Sequence, residues 1–456
     1  MRHGPIDLVT LSEALKPRRL FMNLQTLFKL DAHGTDVRTE ILAGVTTFLT
    51  MSYIIFVNPS ILSTTGMDAS AVFVATCLAA ALGTFIMAFV ANWPIGLAPG
   101  MGLNAFFAFT VVKGMGFTWE QALGAVFISG CIFILLTITG VRSWLVAGIP
   151  KSLRSAIAAG IGMFLAIIAL SNAGVVVANP ATKVGLGNLA SLPVVLAAGG
   201  FLLIALLDYW RVRGAILIGI VAVTLASMAL GLTQYQGIVS MPPSIAPTFF
   251  KLDILGALHA GFFHIILVFV LVEIFDATGT LTGIARKAGL LKDGTKDGQS
   301  GLGRALFADS LAIFSGSLLG TSSTTAYIES ASGVQAGGRT GLTALTVGVL
   351  FLAALFIAPL AAVVPAYATA PALLYVAGLM MRELLEIDWN DITESVPSAL
   401  AALIMPFTYS IANGLAFGFI MYAALKLLTG RAREVHPALW VVAALFLLRY
   451  ALFPSD

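Results

Sequence analysis

Windows of about 18 or more mostly apolar residues recur along the whole chain, and such windows are the mark of helices that cross a bilayer. With 59% hydrophobic and 10% charged residues, the 456-residue chain cannot pack as an ordinary soluble domain. The spans read from them, two of them short and broken, run approximately 40–58, 70–91, 98–112, 119–139, 155–171, 190–208, 213–231, 258–285, 303–319, 325–337, 341–362, 366–381, 392–408 and 411–428. The expectation is an all-α polytopic membrane protein of about 14 spans. A further apolar stretch, Leu439 to Phe453, is short and holds Arg449, so it reads as an interfacial helix or an extra span.

Basic residues are distributed unevenly among the connections. One set of loops holds Arg142, Lys151, Arg154, Arg211, Arg213, Arg286, Lys287, Lys292, Lys296, Arg304, Arg339 and Arg382, with further Lys and Arg near both ends. The opposite set has only Lys113, Lys183 and Lys251. The positive-inside rule then puts both termini in the cytoplasm, across a cell (inner) membrane. Met1 to Arg38 is polar and basic and resembles no cleavable signal. Within it Leu20, Phe21, Leu24, Leu27 and Phe28 fall at helical spacing, as an amphipathic surface helix or a helix packed on the protein would require.

Several function classes are disfavoured. Cys77 and Cys131 lie in apolar spans and read as free packing thiols. The five histidines form no metal-binding cluster, and no phosphate-cradling Gly-Lys-Ser/Thr loop appears. Neither a metal, an organic cofactor, a nucleic-acid partner nor an enzyme active site is therefore expected.

Two segments break the apolar pattern. Leu97-Ala98-Pro99-Gly100-Met101-Gly102-Leu103-Asn104 and Thr321-Ser322-Ser323-Thr324-Thr325-Ala326-Tyr327-Ile328-Glu329 are too interrupted by Gly, Pro, Ser and Thr to span as plain helices. A pair of such segments, one in each half of a membrane protein, points to a transporter's central site. A weak internal repeat agrees: Ile149-Pro150 before a small-residue helix matches Val364-Pro365 before another. With seven spans per half, the second copy starts on the opposite face, so the repeats are inverted.

Acids inside apolar spans narrow the chemistry. A carboxylate at the bilayer centre costs roughly 2.5–3.5 kcal/mol even on the mildest scale, so each one is a functional candidate. They are Glu273 and Asp276, three apart on one helix side, Asp309, and Glu329 after the second broken segment. Asn104 in the first broken segment adds an uncharged amide able to donate and accept. Such groups can accept N–H donors and, through the amide, donate in return. Phe106, Phe107 or Phe275 are available to stack on a flat ligand. Acids that take up and release a proton suggest a proton symporter, with Glu273, Asp276 and Asp309 as the candidate carriers, among which the sequence does not choose.

Four stretches carry a resemblance. Thr39 to Ile54, Gly100 to Phe107, Glu273 to Thr280 and Thr321 to Ser330 are similar to motifs of the adenine/guanine/hypoxanthine permeases, the AzgA-like branch of the nucleobase transporters. The resemblance implies two inverted seven-span repeats divided into core and gate, with short strands in broken spans 3 and 10. Pro99 to Gly102 and Ser322 to Thr325 are the implied strand-and-turn positions.

Domains would then be a cytoplasmic segment 1–38, core 39–140, gate 141–250, core 251–363, gate 364–430, and a C-terminal segment 431–456. Asn104, Asp276 and Glu329 match the family's substrate-binding positions, with Gly102 and Thr325 beside them. Asp309 matches a supporting acid, and Glu273 joins it as a proton-coupling or support residue. Thr280 stands where uracil permeases place a histidine, and Glu329 where the xanthine/uric acid branch has glutamine.

The implied activity is import of hypoxanthine, guanine or adenine by proton symport, with elevator-like motion and a homodimer through the gate. The alternatives are transport of uracil or xanthine, or an anion carrier of sulfate-transporter architecture. The intramembrane acids oppose an anion.

Overall fold

Antiparallel pairing of two three-residue strands at the centre of a helical bundle organises the molecule. The computed structural model describes residues 24–235, 237–258, 262–291 and 296–452. The main helices are α1 (Val37–Thr65), α2 (Ala69–Ala91), α3 (Met101–Gly114), α4 (Trp119–Ile138), α5 (Lys151–Ala173), α6 (Leu192–Tyr209) and α7 (Ala215–Ala229). They continue with α8 (Phe262–Lys287), α9 (Lys296–Leu319), α10 (Ser330–Gln335), α11 (Gly341–Val363), α12 (Ala366–Glu386), α13 (Ile392–Thr408), α14 (Ile411–Leu428) and α15 (Pro437–Leu452). Among the described residues, ten helices are long and apolar enough to cross a membrane.

Local signals set many of these boundaries. Asp36 and Asp68 accept backbone N–H bonds at the starts of α1 and α2, and Thr118 with Gln121 forms a capping box at α4. Pro150 and Pro365 stand at the N-caps of α5 and α12, the paired positions of the internal repeat. Glu40, fully buried on α1, accepts from Arg339 N at 2.8 Å and from the Thr343 hydroxyl at 2.6 Å. Its carboxylate thus sits at the N-terminus of α11, where the unpaired N–H groups favour negative charge, and ties the two helices together.

Helix packing divides the bundle. α1, α2, α4, α8, α9 and α11 pack around the strands, whereas α5, α6, α7, α12, α13 and α14 pack on one another. The contacts also repeat: α2 on α11 mirrors α9 on α4, and α6 on α7 mirrors α13 on α14. Moving seven helices along the chain maps each pair onto its counterpart, as two repeats related by an approximate two-fold axis require.

β1 (Leu97–Pro99) pairs with the strand Thr324–Ala326, with Leu97 opposite Ala326 and Pro99 opposite Thr324. Two further strands, β2 (Val176–Asn179) and β3 (Lys183–Leu186), form a separate hairpin between α5 and α6; the strand Thr324–Ala326 is therefore β4. The expected strand positions shift in detail. β1 begins two residues before Pro99, and Gly102 already lies in α3; β4 begins two residues after Ser322. Proline can fill only an outer ladder position, which leaves Pro99 at the end of its strand.

An exposed sheet edge at membrane depth would be costly, and side chains close it. Thr84 of α2 accepts from Leu97 N at 2.9 Å and donates to Leu97 O at 3.0 Å. Ser330 accepts from Gly96 N at 3.0 Å. Gly100 N to Ser323 O and Tyr327 N to Gly96 O extend the ribbon at either end.

Near the termini, residues 24–28 are helical and Phe28 is buried against Leu342 and Ala88. That part of the N-terminal segment packs on the protein; Leu20 and Phe21 lie outside the described residues. α15 packs on α14, burying Leu439, Val442 and Phe446.

Candidate substrate site at the strand crossing

The acids singled out in the sequence separate into two environments. Asp276 and Glu329 are half-buried and within electrostatic reach of each other, with the Thr325 hydroxyl beside Asp276. Glu273 and Asp309 are fully buried. α8 brings Glu273 and Asp276 to the ribbon, α9 brings Asp309, and the turn between β4 and α10 brings Glu329.

Tyr53 orients Glu329. α1 is interrupted at Ser52–Tyr53, and the Tyr53 hydroxyl donates to Glu329 Oε1 at 2.7 Å. Tyr327, 6.5 Å away between ring centroids, donates to Pro99 O at 2.6 Å. Neither tyrosine was marked by the sequence pattern, since a tyrosine within an apolar run looks like packing.

Asn104 lies on the first turns of α3, fully buried, and its Oδ1 accepts from the Ser322 hydroxyl. Asn104 Nδ2 and the Thr324 hydroxyl find no hydrogen-bond partner in the protein. Buried polar atoms of this kind are normally paired, so the unpaired amide at the start of α3 marks a place for an external polar group. Gly102 is not against the acids: a Cβ there would meet Ile161 Cγ2 of α5 at 2.7 Å. Thr280 is half-buried one turn beyond Asp276, and none of the described contacts ties it to the acids.

The aromatic candidates are committed elsewhere. Phe106 packs edge-on against Phe269 at 5.0 Å, and Phe107 is fully buried in the core. The Phe275 side chain lies outside what the structure describes.

The inner pair of acids has partners that the sequence reading did not name. Arg142, placed by its position in a cytoplasmic loop, is buried at 1% exposure. Its Nη2 lies 3.6 Å from Asp309 Oδ2, its Nε donates to Thr278 and its Nη1 to Leu306 O. The guanidinium sits 4.0 Å over the Phe133 ring. A loop of basic residues gives no hint that one of them folds inward; the signal was the acid on α9 needing a counter-charge. Glu273 Oε1 accepts from the Ser323 hydroxyl at 2.5 Å, with Ser129 at 3.5 Å. A third buried web joins Asn58, Thr76 and Thr321, with Asn58 Nδ2 donating at 2.7 and 2.9 Å. Among the described residues no group of His, Cys, Asp and Glu forms a metal site.

The arrangement offers two carboxylate acceptors at the ribbon and an unpaired amide donor on the adjoining α3. Together they can bind the edge of a polar, uncharged ring that both donates and accepts.

Comparison with known proteins places these features in context. Residues 38–417 match the Xan_ur_permease profile, described as a permease family. The chain is 51% identical over 426 residues to adenine permease AdeP of Escherichia coli, covering 93% of this chain and 95% of that protein. It is 43% identical to guanine/hypoxanthine permease PbuG of Bacillus subtilis, covering 94% and 99%. Among solved structures it resembles the transmembrane domain of the cyanobacterial bicarbonate transporter BicA, with TM-score 0.59 and 18% identity over 84% of this chain and 97% of that one. It also resembles SLC26A9, with TM-score 0.62 and 10% identity over 94% and 72%. At those identities the two structures support the fold alone.

Proposed function

This chain belongs to the Xan_ur_permease family of permeases, and from that premise we propose that it imports purine nucleobases by proton symport. The membrane would be the cell (inner) membrane, with both termini cytoplasmic. The observation that carries the reading is the Asp276–Glu329 pair, half-buried at the strand crossing, together with the unpaired amide of Asn104, which is tied to Ser322 just before β4. Purine ring N–H groups donate to the carboxylates, and a ring acceptor takes the amide proton. A pyrimidine or an anion would leave part of that set unpaired or meet like charge. The names of the relatives, adenine permease and guanine/hypoxanthine permease, support the same substrate class.

Transport follows from the strand-centred bundle, residues 39–140 and 251–363, moving as a core against a gate of 141–250 and 364–430. The Gly102–Ile161 contact lies on that boundary. The anion-carrier alternative draws on the shared fold and on nothing in the site.

Uptake of labelled adenine, guanine, hypoxanthine, xanthine and uracil into cells lacking their own nucleobase carriers tests the proposal. Purine uptake that collapses with a protonophore is the expected result. Uptake of uracil or xanthine alone would refute the assignment to adenine, guanine and hypoxanthine, and purine uptake indifferent to the protonophore would refute the coupling.

A further inference from the structure

We infer that Arg142 selects which buried acid carries the coupled proton: it holds Asp309 as a permanent carboxylate and leaves Glu273 to bind and release the proton. The inference rests on the proton-symport reading above and deepens it. Three charged groups meet where α4, α8 and α9 pack: Arg142, Asp309 and Glu273. One guanidinium neutralises one carboxylate, so with both acids ionised the water-poor cluster would hold an uncompensated negative charge. One proton restores neutrality.

Geometry says which acid takes it. Asp309 Oδ2 is the oxygen facing Arg142 Nη2, and the Ala326 backbone N–H also lies toward the Asp309 carboxylate. Both favour its anion, and the arginine supplies the counter-charge. Glu273 has no described nitrogen donor; it meets Ser323 at 2.5 Å and Ser129 at 3.5 Å, and its Oε2 is unpartnered. Ser129 already donates its single hydroxyl proton to Val126 O at 2.8 Å. Its approach to Glu273 Oε1 at 3.5 Å is therefore a weak, shared contact that does little to hold a negative charge there. Of the other charged groups, Asp276 faces Asp309 and Glu329 faces Asp276, so neither offers the cluster a second cation.

Arg142 is placed to do this by the chain's connectivity. It lies on the short helix Val141–Ala147, which joins α4 of the strand-centred bundle to α5 of the other. Proton binding from outside forms the Glu273 O–H bond with the cluster neutral. Release toward the cytoplasm breaks it and leaves the cluster anionic. Arg142 thus acts as a positioning residue, through Asp309, and touches no substrate.

Proteoliposomes separate the two parts of the cycle. Counterflow of labelled against unlabelled adenine reports binding and translocation; accumulation driven by an imposed pH gradient reports coupling. Glu273→Gln is expected to keep counterflow and lose proton-driven accumulation. Arg142→Met, which leaves two acids without a cation, is expected to lose accumulation as well. Arg142→Met combined with Asp309→Asn leaves Glu273 as the cluster's only charged group and is expected to recover accumulation. Full accumulation in Glu273→Gln, or no recovery in the double variant while counterflow persists, would overturn the inference. Should Arg142→Met fail to reach the membrane, Glu273→Gln and the double variant carry the same test. Absence of wild-type counterflow with adenine, guanine and hypoxanthine alike would refute the purine reading, and wild-type counterflow without proton-driven accumulation would refute the symport reading.

Discussion

Asp276 and Glu329 differ from Glu273 and Asp309 in surroundings rather than in type, and that difference assigns their roles. The outer pair is half-exposed and free to accept from a ligand. Replacing either with its amide removes a charge-assisted hydrogen bond worth about 1.5–3 kcal/mol, so Asp276→Asn and Glu329→Gln should each raise the purine KM by about ten- to a hundredfold. Concentration-dependent uptake measures it, and an unchanged KM would remove that residue from the site. Tyr53→Phe should weaken purine affinity less, since it frees Glu329 without removing it. All four acids and Asn104 were visible in the sequence because polar atoms within apolar runs are anomalous. Tyr53, Arg142 and Ser323 were not singled out, because a tyrosine, a loop arginine and one serine among several are ordinary until their neighbours are known.

At the scale of elements, close contacts leave little freedom. A Cβ on Gly333 of α10 would meet the Thr47 hydroxyl at 2.0 Å and Ala43 O at 2.7 Å on α1. Gly333→Ala should therefore destabilise the protein by about 1–3 kcal/mol, read as a lowered melting temperature in detergent. Thr84→Val would strip both Leu97 backbone groups of their partner, at about 1–3 kcal/mol for each buried group left unmade, and should loosen β1.

Outside the membrane, Arg431 binds Asp391 and Glu434 at 2.7 and 2.8 Å, and Lys426 adds Glu434 at 2.9 Å. The Arg431 bond, then Lys426, pulls the Glu434 carboxyl down from 4.5 to about 2. A lowered carboxylate contributes fully above its ordinary value and loses that contribution as pH falls through about 2. Hydrogen exchange in residues 431–452 should accordingly rise only as pH drops through that window. Broken spans and the proline-started repeat helices were legible from residue order. The strand register was not, because pairing depends on a partner more than two hundred residues away.

For the whole molecule, the boundary between the two bundles is where transport must show. An ideal Cβ at position 102 lies 4.0 Å from Ile161 Cβ, within the usual disulfide range of about 3.5–4.5 Å. Oxidising Gly102→Cys combined with Ile161→Cys should block uptake, and reduction should restore it; undiminished uptake in the cross-linked protein would exclude sliding at this boundary.

Sequence alone determined that the chain spans a membrane many times, that its halves repeat in inverted fashion, and that its polar business lies at two broken segments. These follow from hydropathy, charge bias and local backbone chemistry, which act over a few residues at a time. Which acids face outward, which arginine folds inward and which tyrosine orients Glu329 were decided only by tertiary packing. Burial and pairing are properties of neighbours in space, and here those neighbours come from opposite halves of the chain.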